Sequence, residues 1–301
     1  MPTLRYLHLD VFTASPFQGN QLAVFPEPGE LTGGQMQVIA REMNFSESTF
    51  ILPAENDSDV KMRIFTPGSE LPIAGHPTIG STFALAIEGV IATGRRNFVF
   101  ELGVGPTPVA LEWEGSTLAF VWMSMPLPTF GATIDDRSAL ARAMGLEPGD
   151  LAEGLPAQLV SCGVPYVLVP LASRAAVDAV SIERQAFARC CRDAGIDETP
   201  AFFFTTEGGT PGETAYSRMI APAFGIAEDP ATGSASGPLG CYLVQYGVVT
   251  ADRTNPIVSL QGVAMGRPSR IHIAIDGGVD SITRVRVGGQ AVLVGRGELT
   301  V

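Results

Sequence analysis

Phe65-Thr66-Pro67 followed by Ala74-Gly75-His76-Pro77, and Ile220-Ala221-Pro222 followed by Asp229-Pro230-Ala231-Thr232-Gly233-Ser234, are two versions of one local plan. In each, a β-type run ends at a proline, a glycine turn follows, and an apolar segment carrying glycine comes next: Gly80 in the first, Gly237 and Gly240 in the second. The segment through Ile79, Phe83, Ala84, Leu85, Ala86 and Ile87 is apolar on nearly every side, so as a helix it must be enclosed rather than lie on a surface. Pro77 suits a first helical position, where its missing N–H has no intrahelical bond to lose, and the helix is expected to begin there. A unit of ~150 residues appearing twice points to an old duplication with pseudo-twofold symmetry.

The flanking segments repeat the same alternation. Strand-type runs occupy Leu4 to Phe12, Gln21 to Phe25, Ser48 to Leu52, Lys61 to Phe65, Asn97 to Leu102, Pro108 to Trp113 and Thr117 to Met123. Between them, Thr32 and Gln35 have capping-box spacing, and Met36, Ile39, Ala40 and Met43 form one stripe, which predicts an amphipathic helix over 32–43. The pattern breaks at Met125-Pro126-Leu127-Pro128, where a domain boundary is expected. Beyond it, a helix is read over 135–144. Strands follow at 158–162, 166–171, 201–206, 214–220, 257–261, 270–275 and 284–288, with helices at 174–180, 184–194 and 234–246.

Composition narrows the function. The chain has 301 residues, 46% of them hydrophobic and 17% charged, enough to bury a large core. Nineteen basic against thirty-one acidic residues give a net charge of −12, which disfavours nucleic acid and anionic membranes as partners. Lys61 is the one lysine and lies in a strand-like run, a poor place for a Schiff base. Cys162, Cys190, Cys191 and Cys241 form no C-x-x-C pair, so neither a zinc knuckle nor a disulfide framework is suggested. With no run of 18 apolar residues and a charged N-terminus, a cytoplasmic location is expected.

The chemistry-bearing residues cluster at the two glycine turns. Helix N-termini expose N–H groups and partial positive charge, so Gly75-His76 and Gly233-Ser234 are places for a carboxylate or a developing oxyanion, or else ordinary helix starts. Glu47, between a helix and a strand and flanked by Ser46, Ser48 and Thr49, is a candidate general base or a solvated loop carboxylate. Of three histidines only His76 occupies a glycine turn, where it either exchanges a proton with substrate or caps the helix. Asp229 stands at the matching place in the second half, as a site group or as an Asp-Pro turn. No metal-ligand spacing, no dinucleotide or P-loop glycine pattern and no G-x-S-x-G elbow follows a strand. Acid and base work without cofactor or metal is the chemistry that remains.

These motifs, in order, make the sequence similar to the phenazine biosynthesis PhzF family, which shares its fold with diaminopimelate epimerase. The resemblance is carried by Asp10-Val11-Phe12 with Phe17-Gln18-Gly19-Asn20, Arg41-Glu42-Met43-Asn44-Phe45-Ser46-Glu47-Ser48-Thr49-Phe50, Ala74-Gly75-His76-Pro77-Thr78, Glu228-Asp229-Pro230-Ala231-Thr232-Gly233-Ser234-Ala235, Gln261-Gly262 with Met265-Gly266-Arg267-Pro268-Ser269, and Val287-Gly288-Gly289. It implies an α+β fold of two pseudo-symmetric domains, each a β-barrel-like sheet around a central buried helix, with an active site in the cleft between them. The domains would be 1–125, completed by a C-terminal strand at 288–301, and 126–287.

By the same resemblance Glu47 is the proton-transferring residue, His76, Asp229 and Ser234 line the site, and the backbone at Gly75 and Gly233 holds the substrate carboxylate. The type reaction isomerises trans-2,3-dihydro-3-hydroxyanthranilate to its keto tautomer by moving a proton from C3 to C1, without a cofactor, and a homodimer is the expected assembly. Epimerase relatives use a cysteine at each helix start; the corresponding places here are Ala74 and Thr232. An amino-acid epimerase and a non-enzymatic protein-binding member of the family are the competing expectations. Gln21 follows Asn20 where the family usually has proline, which bears on substrate range.

Overall fold

A computed structural model describes residues 3–209, 211–222, 226–250, 257–279 and 281–301. The chain forms two compact units, Met1–Ser124 with Val287–Val301, and Met125–Arg286.

The first unit runs β1 (Thr3–Val11), β2 (Asn20–Phe25), α1 (Gly33–Met43), β3 (Glu47–Leu52), β4 (Val60–Phe65), β5 (Glu70–Leu71), α2 (Gly75–Ile87), β6 (Asn97–Leu102), β7 (Gly105–Glu114) and β8 (Thr117–Met125). β1 and β2 pair antiparallel, β2 and β3 parallel across α1, β3 and β4 antiparallel, β4 and β6 parallel across α2, and β6, β7 and β8 antiparallel. The second unit runs β9 (Thr129–Ile134), α3 (Arg137–Ala143), β10 (Ala157–Ser161), β11 (Pro165–Pro170), α4 (Arg174–Ala179), α5 (Arg184–Asp193), β12 (Ala201–Thr205), β13 (Ala215–Ala221), β14 (Ile226–Asp229), α6 (Gly233–Gln245), β15 (Ile257–Gln261), β16 (Ser269–Gly278) and β17 (Ser281–Gly289), whose residues from Val287 onward already belong to the first unit. From β10 to β16 the pairings repeat the order antiparallel, parallel, antiparallel, parallel, antiparallel. β5 and β14 are equivalent short strands beside β4 and β13. The last strand, β18 (Ala291–Thr300), returns to the first unit and lies antiparallel along all of β1, with a bulge between His8 and Leu9.

Each sheet wraps a helix. Every residue of α2 from Gly75 to Leu85 is buried, against β1, β2, β3 and β18. Gly80 is required there, because a Cβ would meet Leu22 Cδ2 at 2.5 Å and Val11 Cγ2 at 2.7 Å. In the second unit α6 is buried in the same way, with Leu239, Tyr242 and Leu243 packed on Leu168, Phe202, Phe204 and Ile273. α1, by contrast, lies on the outside with only Met36, Ile39 and Ala40 buried, starts with the full Thr32–Gln35 capping box, and stops at Asn44 in the left-handed region at φ 52°.

Two expectations are corrected. α2 begins at Gly75, so Pro77 is its third residue; proline is tolerated there because the first-turn N–H groups lack partners at all three positions. The strands do break at 126–128, after β8 has ended at Met125, but a strand not read from the sequence follows: β9 starts at Thr129 and pairs with β10. Its burial pattern explains the miss, since only Ile134 is buried and no apolar alternation marks the strand. Among the described residues no helix is long and apolar enough to cross a membrane.

Candidate active site

Glu47 opens β3, and alternation along the strand decides where it looks. Residues 47 and 49 share a face directed at α2. Thr49 Oγ1 meets Ser81 Oγ at 2.9 Å, and Glu47 Oε2 lies 3.1 Å from His76 Nε2 in the first turn of the same helix. Ser48 and Phe50 take the other face, where Phe50 packs on Met36, Ile39 and Ala40 of α1. Ser48 is thus turned away from the Glu47 carboxylate and the Thr49 hydroxyl is engaged by Ser81, while the His76 imidazole stands beside that carboxylate.

His76 does not cap its helix. The N-cap is Ala74, which has no group to offer, and the His76 ring turns inward, 4% exposed. Burial pushes its pKa down to about 3, against a smaller upward pull from the Gln21 backbone, so the ring is neutral at ordinary pH. Asn20 Nδ2 stands 3.3 Å from Nδ1. If the amide donates to Nδ1, the single ring proton sits on Nε2, the nitrogen 3.1 Å from Glu47 Oε2. A half-buried carboxylate and a buried, neutral imidazole side by side are groups between which a proton can pass.

In the second unit, Asp229 ends β14 and Thr232 is the N-cap of α6. Thr232 Oγ1 donates to Asp229 Oδ2. Gln261, at the end of β15 and wholly buried, accepts from Thr232 N–H at 3.0 Å and donates to the Asp229 carbonyl at 2.7 Å. Ser234 Oγ is 2.7 Å from the Tyr166 hydroxyl of β11. Gly233 and Ser234 are the first two residues of α6, as Gly75 and His76 are of α2. The structure thus gathers Glu47, His76 and Gly75 at one helix start and Asp229, Gly233 and Ser234 at the other.

All four cysteines are buried, and none stands at either helix start; Cys162 and Cys241 face each other with sulfurs 3.9 Å apart. Among the described residues no three His, Cys, Asp or Glu side chains converge as metal ligands.

Comparison with known proteins shows the family and the fold. The phenazine biosynthesis-like protein family, PhzC-PhzF, matches residues 9–297. The chain belongs to that family. Trans-2,3-dihydro-3-hydroxyanthranilate isomerase of Pseudomonas fluorescens is 36% identical over 296 residues, 98% of this chain and 99% of the relative. A Bacillus anthracis phenazine biosynthesis protein of the PhzF family superposes with a TM-score of 0.90 at 27% identity over the whole of both chains. At the level of fold alone, a hydroxyproline epimerase from Agrobacterium vitis aligns with a TM-score of 0.64 at 14% identity, covering 99% of this chain and 92% of that one. With relatives named as isomerases along its full length, this family member is an isomerase.

Four side chains at the two helix starts had no role in the sequence reading. Asn20, Thr232 and Gln261 lie inside family motifs, yet only the fold brings Asn20 to His76 across 56 positions and Gln261 to Thr232 across 29. Tyr166 is the fourth; nothing in its local sequence separates it from an ordinary strand aromatic.

Proposed function

We propose that this isomerase moves a proton within a small cyclic carboxylate, with trans-2,3-dihydro-3-hydroxyanthranilate as the substrate to test first, and that it needs no cofactor. The carboxylate of Glu47 takes the proton from C3. The C–H electron pair enters the ring's conjugated system, and the same carboxyl returns a proton at C1, leaving an enol that tautomerises to the ketone. No atom is gained or lost, and no electron acceptor is called for. His76, neutral and in contact with Glu47, holds that carboxyl in place and steadies its proton between the two transfers. The start of α2 at Gly75 offers first-turn N–H groups to an anionic group of the substrate, and in the second unit the start of α6 offers the Gly233 backbone, the Ser234 hydroxyl and the Asp229 carboxylate as substrate-binding groups.

The observation that carries this reading is the 3.1 Å approach of a buried imidazole to the carboxylate of Glu47, at the start of a helix whose cap offers no side chain. The test is incubation of the compound in deuterium oxide, following ultraviolet absorbance and the position of the label. Wild-type protein should place deuterium at C1 while hydrogen leaves C3. Glu47→Gln should retain ligand binding and lose turnover by about 10²–10⁴-fold, the range of a positioned acid–base group. Unchanged turnover in that variant overturns the assignment; label entering the carbon from which hydrogen left would make the reaction an epimerisation.

A further inference from the structure

Thr232 is a threonine at an N-cap that does not cap. Its counterpart Thr32 accepts from Gln35 N–H at the start of α1, and Ser173 accepts from Ala176 N–H at the start of α4. The Thr232 hydroxyl accepts from no first-turn N–H of α6. Its partners are Asp229 Oδ2 and Gln261 Nε2, the latter at 3.0 Å.

The direction of each bond follows from groups that have no choice. Thr232 backbone N–H only donates, so the Gln261 atom facing it at 3.0 Å is the carbonyl oxygen. That orients the amide, and Nε2 then points at the Asp229 carbonyl, which only accepts, and at Thr232 Oγ1. Gln261 Nε2 only donates, so the Thr232 hydroxyl accepts from it and directs its single proton at Asp229 Oδ2. Gln261 is wholly buried, with Thr232 and Asp229 6% and 8% exposed, so water has little room to replace any of these partners. The strand end that carries Gln261 is pressed in place: Gly262 has φ +76°, and a Cβ on it would run into the Pro230 and Arg267 carbonyls.

We propose that Gln261 and Thr232 form a one-way hydrogen-bond relay that orients the Asp229 carboxylate as an acceptor through Oδ2, and that both are positioning residues for the reaction. The inference rests on the reading of Asp229 as a site carboxylate. It also explains why a good capping residue leaves the first turn of α6 uncapped, since its hydroxyl is committed to Asp229.

The experiment compares Thr232→Val, Thr232→Ser, Gln261→Glu and Asp229→Asn on trans-2,3-dihydro-3-hydroxyanthranilate, together with proton NMR of the Thr232 hydroxyl. Thr232→Val keeps shape and removes the donor; kcat should fall roughly 10- to 100-fold with KM little changed, as expected for one hydrogen bond to a charged group, and Thr232→Ser should restore most of it. Gln261→Glu exchanges the relay's donor for an acceptor, so the hydroxyl turns to position 261 and the same loss is expected. In the wild type a slowly exchanging hydroxyl proton should correlate with the Asp229 carboxyl carbon, and in Gln261→Glu with the carboxyl carbon of position 261. Near-normal kcat in Thr232→Val beside an inactive Asp229→Asn overturns the relay. Full activity in Asp229→Asn overturns the role of Asp229 instead, and the hydroxyl correlation, read without substrate, then upholds or overturns the relay by itself. Should Thr232→Val fail to fold, Gln261→Glu and Thr232→Ser decide the matter.

Discussion

Acidifying the protein asks His76 directly whether burial or its carboxylate neighbour governs it. Folded, the ring is held neutral with a pKa of about 3; unfolded, it returns to 6.5. Between those values the unfolded chain binds a proton that the folded chain refuses, so this group's contribution makes stability rise with pH and fall as pH is lowered through 6.5. From pH 8 to pH 5 the expected loss is RT ln(1 + 10^1.5), about 2 kcal/mol, and it barely changes so long as the folded value stays below about 4. The perturbation is His76→Gln, which removes the titrating ring and keeps a polar side chain. Urea unfolding at pH 8 and pH 5 should show the wild type losing about 2 kcal/mol more than the variant over that interval. His272, which burial also pushes down, is present in both proteins and cancels in the difference. Tryptophan fluorescence is a suitable signal, because both tryptophans, Trp113 and Trp122, belong to the unit that holds His76. Equal acid sensitivity in the two proteins would refute the reasoning. Relative gain of stability by the wild type on acidification would replace it with an imidazolium–carboxylate pair between His76 and Glu47.

Two further outcomes test the packing. Gly80→Ala should destabilise the first unit by about 1–3 kcal/mol, since its methyl meets Leu22 and Val11 within a filled core, while Gly149→Ala, with open space around its Cβ, should stay within about 0.5 kcal/mol in urea unfolding. All four thiols are buried, and burial raises Cys190 and takes Cys191 up to about 11, so a disulfide reagent at pH 8 should label the native protein slowly and all four sites promptly in denaturant; fast native labelling would contradict the packing around α5 and α6.

Local sequence was enough for the elements with strong periodicity or explicit chemistry at their ends. Thr32 and Gln35 announced α1, and the all-round apolar run after His76 announced an enclosed helix, because such a surface has no stable place in water. It was not enough for β9, whose side chains are mostly exposed and whose stability comes from its bonds to β10. The first residue of α2 was also misplaced, because a glycine and a proline inside one turn give no unique start.

The sequence by itself determined which residues are candidates for the chemistry and that the plan is written twice, since a motif is a local property of the chain. It also singled out His76, the one histidine in a glycine turn. What it left open was the state of each group: whether His76 capped its helix, and whether Glu47 faced water. Tertiary structure decided those points. Pairing of β3 with β2 and β4 turns residues 47 and 49 onto α2, and the end of β15 delivers Gln261 to a helix start 29 residues earlier. The reason is physical: the charge and proton a side chain carries depend on what surrounds it in space, and burial and long-range hydrogen bonds are set by contacts that sequence spacing does not record.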